Sequence, residues 1–293
     1  MDSYFKRIGR NSGGSTPDNS QISPHGTVPS SVSKVVNILI ITDSRGRGLD
    51  GYLGEKSNLN KLLQDKIVIT AETVIKPGLK LEEAEREITR QCLKTRRAFD
   101  HIFLLAGICN LTVKDQQTGR VTYPNRDVKE NCIAVIDRLV ENLGAKLHIA
   151  TIAPVDLNKH YTFRNGEAHG DLELMKSQQE NLVEDCNEIN QHIVDININR
   201  RLPTIHWAKQ CMLTTKKRDR RTKKLRTTKK FVPKHLFDGI HPNEELKCTW
   251  FKLTVDHVSK LISLENEEIS EEKSTDTSQE EEASWNFKRQ RVK

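Results

Sequence analysis

The fold of this chain is decided by the stretch Val36-Asn-Ile-Leu-Ile-Ile-Thr-Asp-Ser-Arg-Gly-Arg-Gly-Leu49. Its β-branched, apolar run ends abruptly in turn residues, which predicts a buried strand of a parallel sheet. Ligands of open α/β sheets bind beyond the carboxyl ends of the strands, so Ser44 lies where a nucleophile would lie. Gly46 and Gly48 would let the backbone approach a ligand closely. The alternative is that Asp43 and Ser44 only cap the next helix, because both residue types are good N-caps.

Strand-like and helix-like segments alternate after this stretch. Apolar, β-branched segments predict strands at 36–42, 67–74, 101–106, 147–153 and 204–208. Apolar residues repeating near every 3.6 positions predict helices at about 80–97, 126–143, 171–198 and 243–263. Such alternation implies a parallel sheet built from right-handed crossovers. We therefore predict one α/β domain, a three-layer sandwich with about five parallel strands, and a long loop from Asp156 to Gly170.

Composition divides the chain into three parts. Residues 1–34 are rich in Ser, Gly, Pro and Asn, which predicts a disordered N-terminal arm. Residues 35–264 carry the strand and helix pattern and form the predicted domain. Residues 265–293 are predicted to be a disordered acidic tail that ends in the basic segment Lys288-Arg-Gln-Arg-Val-Lys293.

Bulk features limit the location and the cofactors. No apolar run approaches the roughly 18 residues that a membrane span needs, and the N-terminus lacks a signal-peptide core. The six cysteines form no Cys-x-x-Cys pair and show no metal-ligand spacing, which favours a reduced, intracellular protein without a metal or other cofactor. We expect a cytoplasmic location, or a nuclear one if a basic segment acts in targeting.

Residues suited to acyl transfer follow several of the predicted strands. Ser44 follows the first strand, Gly78 the second, and Gly107-Ile-Cys-Asn110 the third, while Asp238 and His241 follow the fifth. A histidine can take the serine proton, an aspartate can orient the imidazole, and backbone N–H groups can hold the oxyanion. The alternative for Asp238 and His241 is that they only precede and cap the last helix.

The order and spacing of these residues resemble the SGNH (GDSL-type) hydrolase superfamily over roughly residues 35–263. Members of this superfamily share short sequence motifs called blocks. Thr42-Asp-Ser44 is similar to the first block and Gly78 to the second, while Gly107-Ile-Cys-Asn110 is similar to the third and Asp238-Gly-Ile-His-Pro242 to the last. The resemblance implies a flavodoxin-like sheet, Ser44 as the nucleophile, His241 as the base and Asp238 as its orienting partner. It also implies that the backbone N–H groups of Ser44 and Gly78 bind the oxyanion.

Two positions depart from the family pattern. Thr42 replaces the glycine of the first block, at the end of a strand. In the third block, Cys109 stands where the oxyanion asparagine is expected, and Asn110 follows one position later. A thiol is a weak donor, and the loss of one oxyanion donor costs on the order of 100- to 1000-fold in turnover. A nucleophilic thiolate at Cys109 would require a lowered pKa.

The segment 216–230 (KKRDRRTKKLRTTKK) is two-thirds basic and is predicted to stay extended or mobile through self-repulsion. It is either a solvated loop or a site for a phosphate backbone or a nuclear import receptor. It contains no aromatic residue, so base stacking is not indicated. The residues assigned to anion contact are Lys216, Lys217, Arg218, Arg220, Arg221, Lys223 and Lys224.

Two functions of different classes remain open from the sequence. The first is a serine hydrolase that acts on a small acyl ester, such as an O-acetyl group. The second is a catalytically weak or inactive domain of the same fold that binds nucleic acid or another polyanion, as some SGNH-like domains serve as interaction platforms. Cys109 and the basic segment favour the second function. The sequence does not predict an oligomeric state.

Overall fold

The computed structural model of the protein describes residues 34–54, 67–124, 127–167, 171–218 and 225–264. The predicted N-terminal arm, apart from Lys34, and the predicted acidic tail lie outside the described residues.

The centre of the fold is a parallel sheet of four strands in the order β2-β1-β3-β6. These strands are β1 (Lys34–Thr42), β2 (Ile67–Ile75), β3 (His101–Leu105) and β6 (Leu147–Ile149). All three pairings are parallel, and β1 lies between β2 and β3. The order is that of a flavodoxin-like sheet, in which the direction of strand addition reverses beside the first strand.

Helices cover both faces of this sheet, as the alternating pattern predicted. They are α1 (Leu49–Gly54), α2 (Leu81–Thr95), α3 (Ile108–Leu111), α4 (Val128–Leu143), α5 (Leu157–Asn165), α6 (Leu172–Asn199) and α7 (residues 244–264). A small ribbon joins β4 (Val113–Lys114) to β5 (Val121–Thr122), and a hairpin joins β7 (Met212–Arg218) to β8 (Leu225–Phe231).

Both faces of β1 are buried, because successive side chains of a strand point to opposite sides. Leu39 and Ile41 pack into a core with residues of α2, α4 and α6. Ile38 and Ile40 pack into a second core with residues of α1 and α7. The continuous apolar run of β1 is thus explained by a three-layer α/β sandwich, and the predicted fold class is confirmed.

The predicted fifth strand is not a regular strand. The segment 204–208 lies beside the end of β6, where Thr151 N–H donates to the Ile205 carbonyl at 2.9 Å. The indole rings of Trp207 and Trp250 stack with 4.6 Å between their centroids. Each indole N–H also donates to the backbone carbonyl of the other tryptophan, at 3.2 and 3.0 Å. Segment 204–208 is therefore held by side chains of α7, which replace part of a regular strand ladder.

Two further expectations concern the segments 156–170 and 216–230. The segment from Asp156 to Gly170 was expected to be a long loop, but it contains α5, which Asp156 caps by accepting a hydrogen bond from Lys159 N–H at 2.9 Å. The basic segment was expected to stay extended or mobile, and its described residues are extended and pair as the β7–β8 hairpin. Polar composition hid α5, whose sequence lacks a strong apolar periodicity. In the described part of the chain, no helix combines the length and the apolarity needed to cross a membrane.

Candidate active site

Ser44 lies immediately beyond the carboxyl end of β1, in a 3-10 turn formed by Ser44–Gly46. The Asp43 carboxylate caps this turn by accepting a hydrogen bond from Arg45 N–H at 2.8 Å. The capping alternative is therefore correct for Asp43. Ser44 makes a different contact, because its Oγ lies 3.0 Å from Nε2 of His241.

His241 and Asp238 lie on the segment that leads into α7. Nδ1 of His241 is 2.8 Å from Oδ2 of Asp238, while Oδ1 of Asp238 accepts the backbone N–H groups of Ile240 and His241 at 2.9 and 2.7 Å. An ionised carboxylate only accepts hydrogen bonds, so Nδ1 carries the proton and Nε2 is left as an acceptor for the Ser44 hydroxyl. The helix is capped by Asn243, whose Oδ1 accepts from Leu246 N–H at 2.9 Å, and not by Asp238 or His241.

The Asp238 carboxyl is held in its ionised form. Burial by itself raises the pKa of this group, but the hydrogen bonds from the backbone and ring of His241 outweigh burial. The net pKa of Asp238 lies below the usual value for an aspartate. A carboxylate that stays ionised can both fix the imidazole orientation and stabilise an imidazolium.

Helix α5 holds the segment that carries Asp238 and His241. Gly239 has a φ of +86°, and a Cβ at this position would lie 2.5 Å from the Asp156 carbonyl oxygen and 2.6 Å from His160 N. Asp156 N–H donates to the Gly239 carbonyl at 2.7 Å, and His160 Nδ1 donates to the Asp238 carbonyl at 3.2 Å. The side chain of Lys159 also donates to the Leu236 carbonyl. This close backbone contact sets the position of the aspartate and histidine.

A buried ion pair lies beside Ser44 and was not predicted from the sequence. The Arg45 guanidinium, only 3% exposed, donates through Nε and NH2 to the Asp43 carboxylate at 3.0 to 3.2 Å, and its NH1 donates to the Ala153 carbonyl at 2.8 Å. Burial lowers the pKa of Arg45, but the Asp43 carboxylate outweighs burial and the pKa is raised. An arginine next to a turn is usually exposed, so the sequence carried no signal for this pair.

The threonine that departs from the first block fits the structure. Thr42 is fully buried, and its hydroxyl donates to the Leu105 carbonyl of β3 at 3.0 Å. A Cβ on Gly46 would lie 2.4 Å from the Thr42 Cγ2 and Oγ1 atoms. The glycine after Ser44 thus leaves the space that the threonine side chain occupies.

Gly78 lies in a tight turn next to the serine turn. Leu79 N–H donates to the Lys76 carbonyl at 3.1 Å, with Pro77 and Gly78 at the two central positions and a φ of +76° at Gly78. Proline followed by a glycine of positive φ is the usual composition of a type II turn. Lys76 N–H donates to the Thr42 carbonyl at 2.9 Å, which attaches this turn to the end of β1. Nothing lies within 4 Å of a Cβ built on Gly78, so the turn faces open space.

Cys109 and Asn110, the third-block residues considered as oxyanion donors, make other contacts in the structure. The Asn110 Oδ1 accepts from Leu81 N–H at 2.9 Å, and its Nδ2 donates to Glu82 at 2.8 Å, so the carboxamide caps the N-terminus of α2. Cys109 is largely buried, and burial, followed by the Asp43 carboxylate, raises the pKa of its thiol to about 11. The neutral thiol is therefore the favoured form at pH 7, which argues against a thiolate nucleophile at Cys109.

The basic residues do not form part of the serine–histidine–aspartate group. Lys216, Lys217 and Arg218 lie in β7, while Arg220, Arg221, Lys223 and Lys224 lie outside the described residues. The hairpin is attached near the site, because Val232 N–H donates to the Cys211 carbonyl at 2.8 Å and the chain then continues through Leu236 to Asp238. Among the described residues, no group of three or more His, Cys, Asp and Glu side chains is arranged to hold a metal ion.

Comparison with known proteins identifies solved structures that share this fold. Neither known protein-family models nor curated protein sequences match the chain. The structure is similar to the lipase/acylhydrolase from Enterococcus faecalis, with a TM-score of 0.50 and 12% identity over 77% of this chain and 96% of that chain. It is also matched by Axe2, an acetylxylan esterase from Geobacillus stearothermophilus, with a TM-score of 0.46 and 11% identity over 78% of this chain and 96% of that chain. The chain therefore shares its α/β fold with the lipase/acylhydrolase from Enterococcus faecalis.

Proposed function

We propose that the protein is an ester hydrolase in which Ser44 is the nucleophile, His241 the general base and Asp238 the residue that orients His241. The observation that carries this proposal is the chain of two contacts, 3.0 Å from Ser44 Oγ to His241 Nε2 and 2.8 Å from His241 Nδ1 to Asp238 Oδ2. Both distances lie within the range in which a side chain can transfer or hold a proton.

The reaction follows from these contacts. Ser44 Oγ attacks the ester carbonyl as its proton moves to Nε2 of His241, and the imidazolium is stabilised by the ionised Asp238. His241 then gives the proton to the leaving alkoxide, and the same residue activates the water that hydrolyses the acyl-enzyme. His241 is 38% exposed on its side chain, so an ester from solvent has access to it.

The oxyanion is assigned to two backbone donors, the N–H groups of Ser44 and Gly78. Gly78 supports this assignment because its turn is attached to the end of β1 and faces open space. Cys109 supplies only a thiol, and Asn110 uses its carboxamide at the N-terminus of α2. Because one donor of the family pattern is replaced, we expect turnover on the order of 100- to 1000-fold below that of an enzyme with three donors.

We propose a small ester with a short acyl group, such as an O-acetyl ester, as the substrate. The test is labelling of the full chain with a fluorophosphonate probe together with hydrolysis of p-nitrophenyl acetate. Wild type is expected to be labelled and to hydrolyse the ester, and Ser44→Ala is expected to lose both, because the hydroxyl is the attacking group. Ser263→Ala removes a hydroxyl of α7 that bonds only to the Ser259 carbonyl, and it serves as the matched control.

Labelling that is equal in wild type and Ser44→Ala would contradict the assignment of the nucleophile. No labelling and no hydrolysis in folded wild type would favour the second function, a catalytically inactive binding domain. The observations that favour this second function are the neutral Cys109 thiol and the engaged Asn110 carboxamide.

A further inference from the structure

The β7–β8 hairpin is a two-stranded ribbon that forms its own sheet, separate from the four-stranded one. Seven residues of each strand pair in register, from Met212 opposite Phe231 to Arg218 opposite Leu225. At about 3.4 Å per residue the ribbon is roughly 24 Å long. Its base is attached to the domain, where Cys211 is buried and accepts a hydrogen bond from Val232 N–H at 2.8 Å.

Both faces of this ribbon are exposed to solvent. Neighbouring residues of a strand face opposite sides, and the neighbours Lys229 and Lys230 are both exposed, as are the neighbours Thr215 and Lys216. Neither face is therefore covered by the domain at these positions. Of the hairpin side chains that the structure describes, only those at its base pack against the core, so core packing does not explain the rest of the ribbon.

The charge of the ribbon has one sign. Each strand carries three basic residues and no acidic one. Among the ion pairs that join described residues, none includes Lys216, Lys229 or Lys230. A two-stranded ribbon is marginally stable by itself, so this charge pattern disfavours the free ribbon and favours one bound to an anionic partner.

We propose that the β7–β8 hairpin is a nucleic-acid-binding arm that enters the major groove of a DNA duplex and contacts the phosphates on both of its walls. The major groove of B-form DNA, about 12 Å wide, admits a two-stranded β-ribbon. The register places the described lysines on both faces, with Lys216 and Lys229 on one and Lys230 on the other, which fits two walls of phosphate. A flat acidic surface of a protein would contact only one of these faces.

The shape and composition of the ribbon also select among nucleic acids. The major groove of an A-form RNA duplex is deep and narrow, so the ribbon fits it poorly. The strands contain no aromatic residue except Phe231 at the base, which removes the stacking that single strands require. Contacts between lysine or arginine and phosphate carry no base information, so the binding is independent of sequence.

The test is a gel-shift and fluorescence-anisotropy titration of the full chain with a short mixed-sequence DNA duplex across a salt series. The variant Lys216→Gln/Lys229→Gln/Lys230→Gln removes three exposed charges of the ribbon. The control Lys94→Gln/Lys146→Gln/Lys252→Gln removes three exposed charges elsewhere, so both variants have the same net charge. Circular dichroism and thermal unfolding establish that both variants are folded.

We expect wild type and control to bind the duplex, with affinity falling as salt rises. The hairpin variant is expected to bind more weakly. The slope of log affinity against log salt is expected to become shallower by roughly two to three units, because each of the three lost lysine–phosphate contacts contributes about 0.9 to the slope. Single-stranded DNA and duplex RNA are expected to bind more weakly than duplex DNA. The Ser44→Ala variant is expected to bind as wild type does, so the result is separable from ester hydrolysis.

Three results would overturn the inference. The first is no duplex binding even at about 50 mM salt, which would favour a protein partner such as an import receptor. The second is an equal loss of affinity in the hairpin variant and the control, which would indicate general electrostatic attraction. The third is duplex RNA or single-stranded DNA binding as tightly as duplex DNA, which would exclude the major groove as the site.

Discussion

Arg45 shows how one side chain next to the proposed nucleophile connects three parts of the fold. It pairs with Asp43, donates to the Ala153 carbonyl at 2.8 Å, and lies 6.0 Å from the centroid of the Trp250 ring in α7. Because Asp43 also caps the turn that contains Ser44, the guanidinium helps to hold this turn in place. Two charges this deeply buried stabilise a fold only when each satisfies the other.

We therefore expect Arg45→Met to destabilise the protein by about 3–5 kcal/mol, since it leaves the Asp43 carboxylate buried without its partner. The measurement is urea unfolding followed by circular dichroism. The double variant Asp43→Asn/Arg45→Met is the control, and it is expected to recover part of the lost stability because no charge remains unpaired. A double variant no more stable than Arg45→Met would contradict this explanation.

At the scale of elements, the segment that carries Asp238 and His241 depends on α5. The contact is between backbone atoms of Gly239, Asp156 and His160, so neither side can give way by rotating a side chain. Gly166, at the end of the same helix, also has a positive φ of +78°, but nothing lies within 4 Å of a Cβ built there. Substituting each glycine by alanine therefore distinguishes two effects: Gly166→Ala tests the unfavourable φ alone, and Gly239→Ala tests the φ together with a steric clash.

We expect Gly239→Ala to reduce ester hydrolysis strongly, because a Cβ must push the Asp238 segment away from α5. Gly166→Ala is expected to cost about 1 kcal/mol of stability, from its left-handed backbone alone, and to leave turnover unchanged. Turnover of p-nitrophenyl acetate and thermal unfolding of both variants provide the measurement. Equal turnover in the two variants would show that α5 does not position the site.

At the scale of the whole molecule, the two ends of the sheet have different roles. The carboxyl ends of the strands carry Ser44 and its partners, while His101, at the start of β3, lies in a buried cluster with His148 and His257. Burial, followed by neighbouring positive charge, lowers the pKa of His148 to about 2 and that of His257 to about 4. Both imidazoles are therefore neutral in the folded protein at pH 7.

These two histidines make stability depend on pH. Their pKa values in the unfolded chain are near 6.5, so between about pH 6.5 and pH 4 the unfolded state binds more protons than the folded state. The free energy of unfolding is therefore unaffected by these histidines above about pH 6.5, and it decreases as the pH falls below that value. We expect His148→Gln to reduce this dependence by up to about 1.4 kcal/mol per pH unit.

The measurement is urea unfolding of wild type and variant between pH 7 and pH 4.5. His192→Gln is the control, because His192 lies outside the cluster and bonds to Asp137 on the surface of α4. The slope of the unfolding free energy against pH is compared, rather than its absolute value, so that any packing loss in the variant cancels. Parallel slopes in wild type and His148→Gln would show that burial of this imidazole does not govern acid unfolding.

Local patterns were sufficient to predict the four strands of the central sheet and the four long helices α2, α4, α6 and α7. The apolar run of β1 and the periodicity of α2, α4 and α6 depend on burial alone, which a single segment records. Segment 204–208 and α5 were predicted wrongly for the opposite reason. The first is held by the Trp207–Trp250 contact, and the second is begun by the Asp156 cap rather than by an apolar stripe.

The sequence by itself determined the fold class and the order in which polar residues follow the strands, because hydrophobic periodicity and turn residues are local properties of the chain. Only the tertiary structure decided which of those residues meet: His241 reaches Ser44 across 197 positions, whereas Asn110 binds α2 and Arg45 turns inward to Asp43. Distances between side chains on different strands depend on how the whole domain packs, and no segment records them alone.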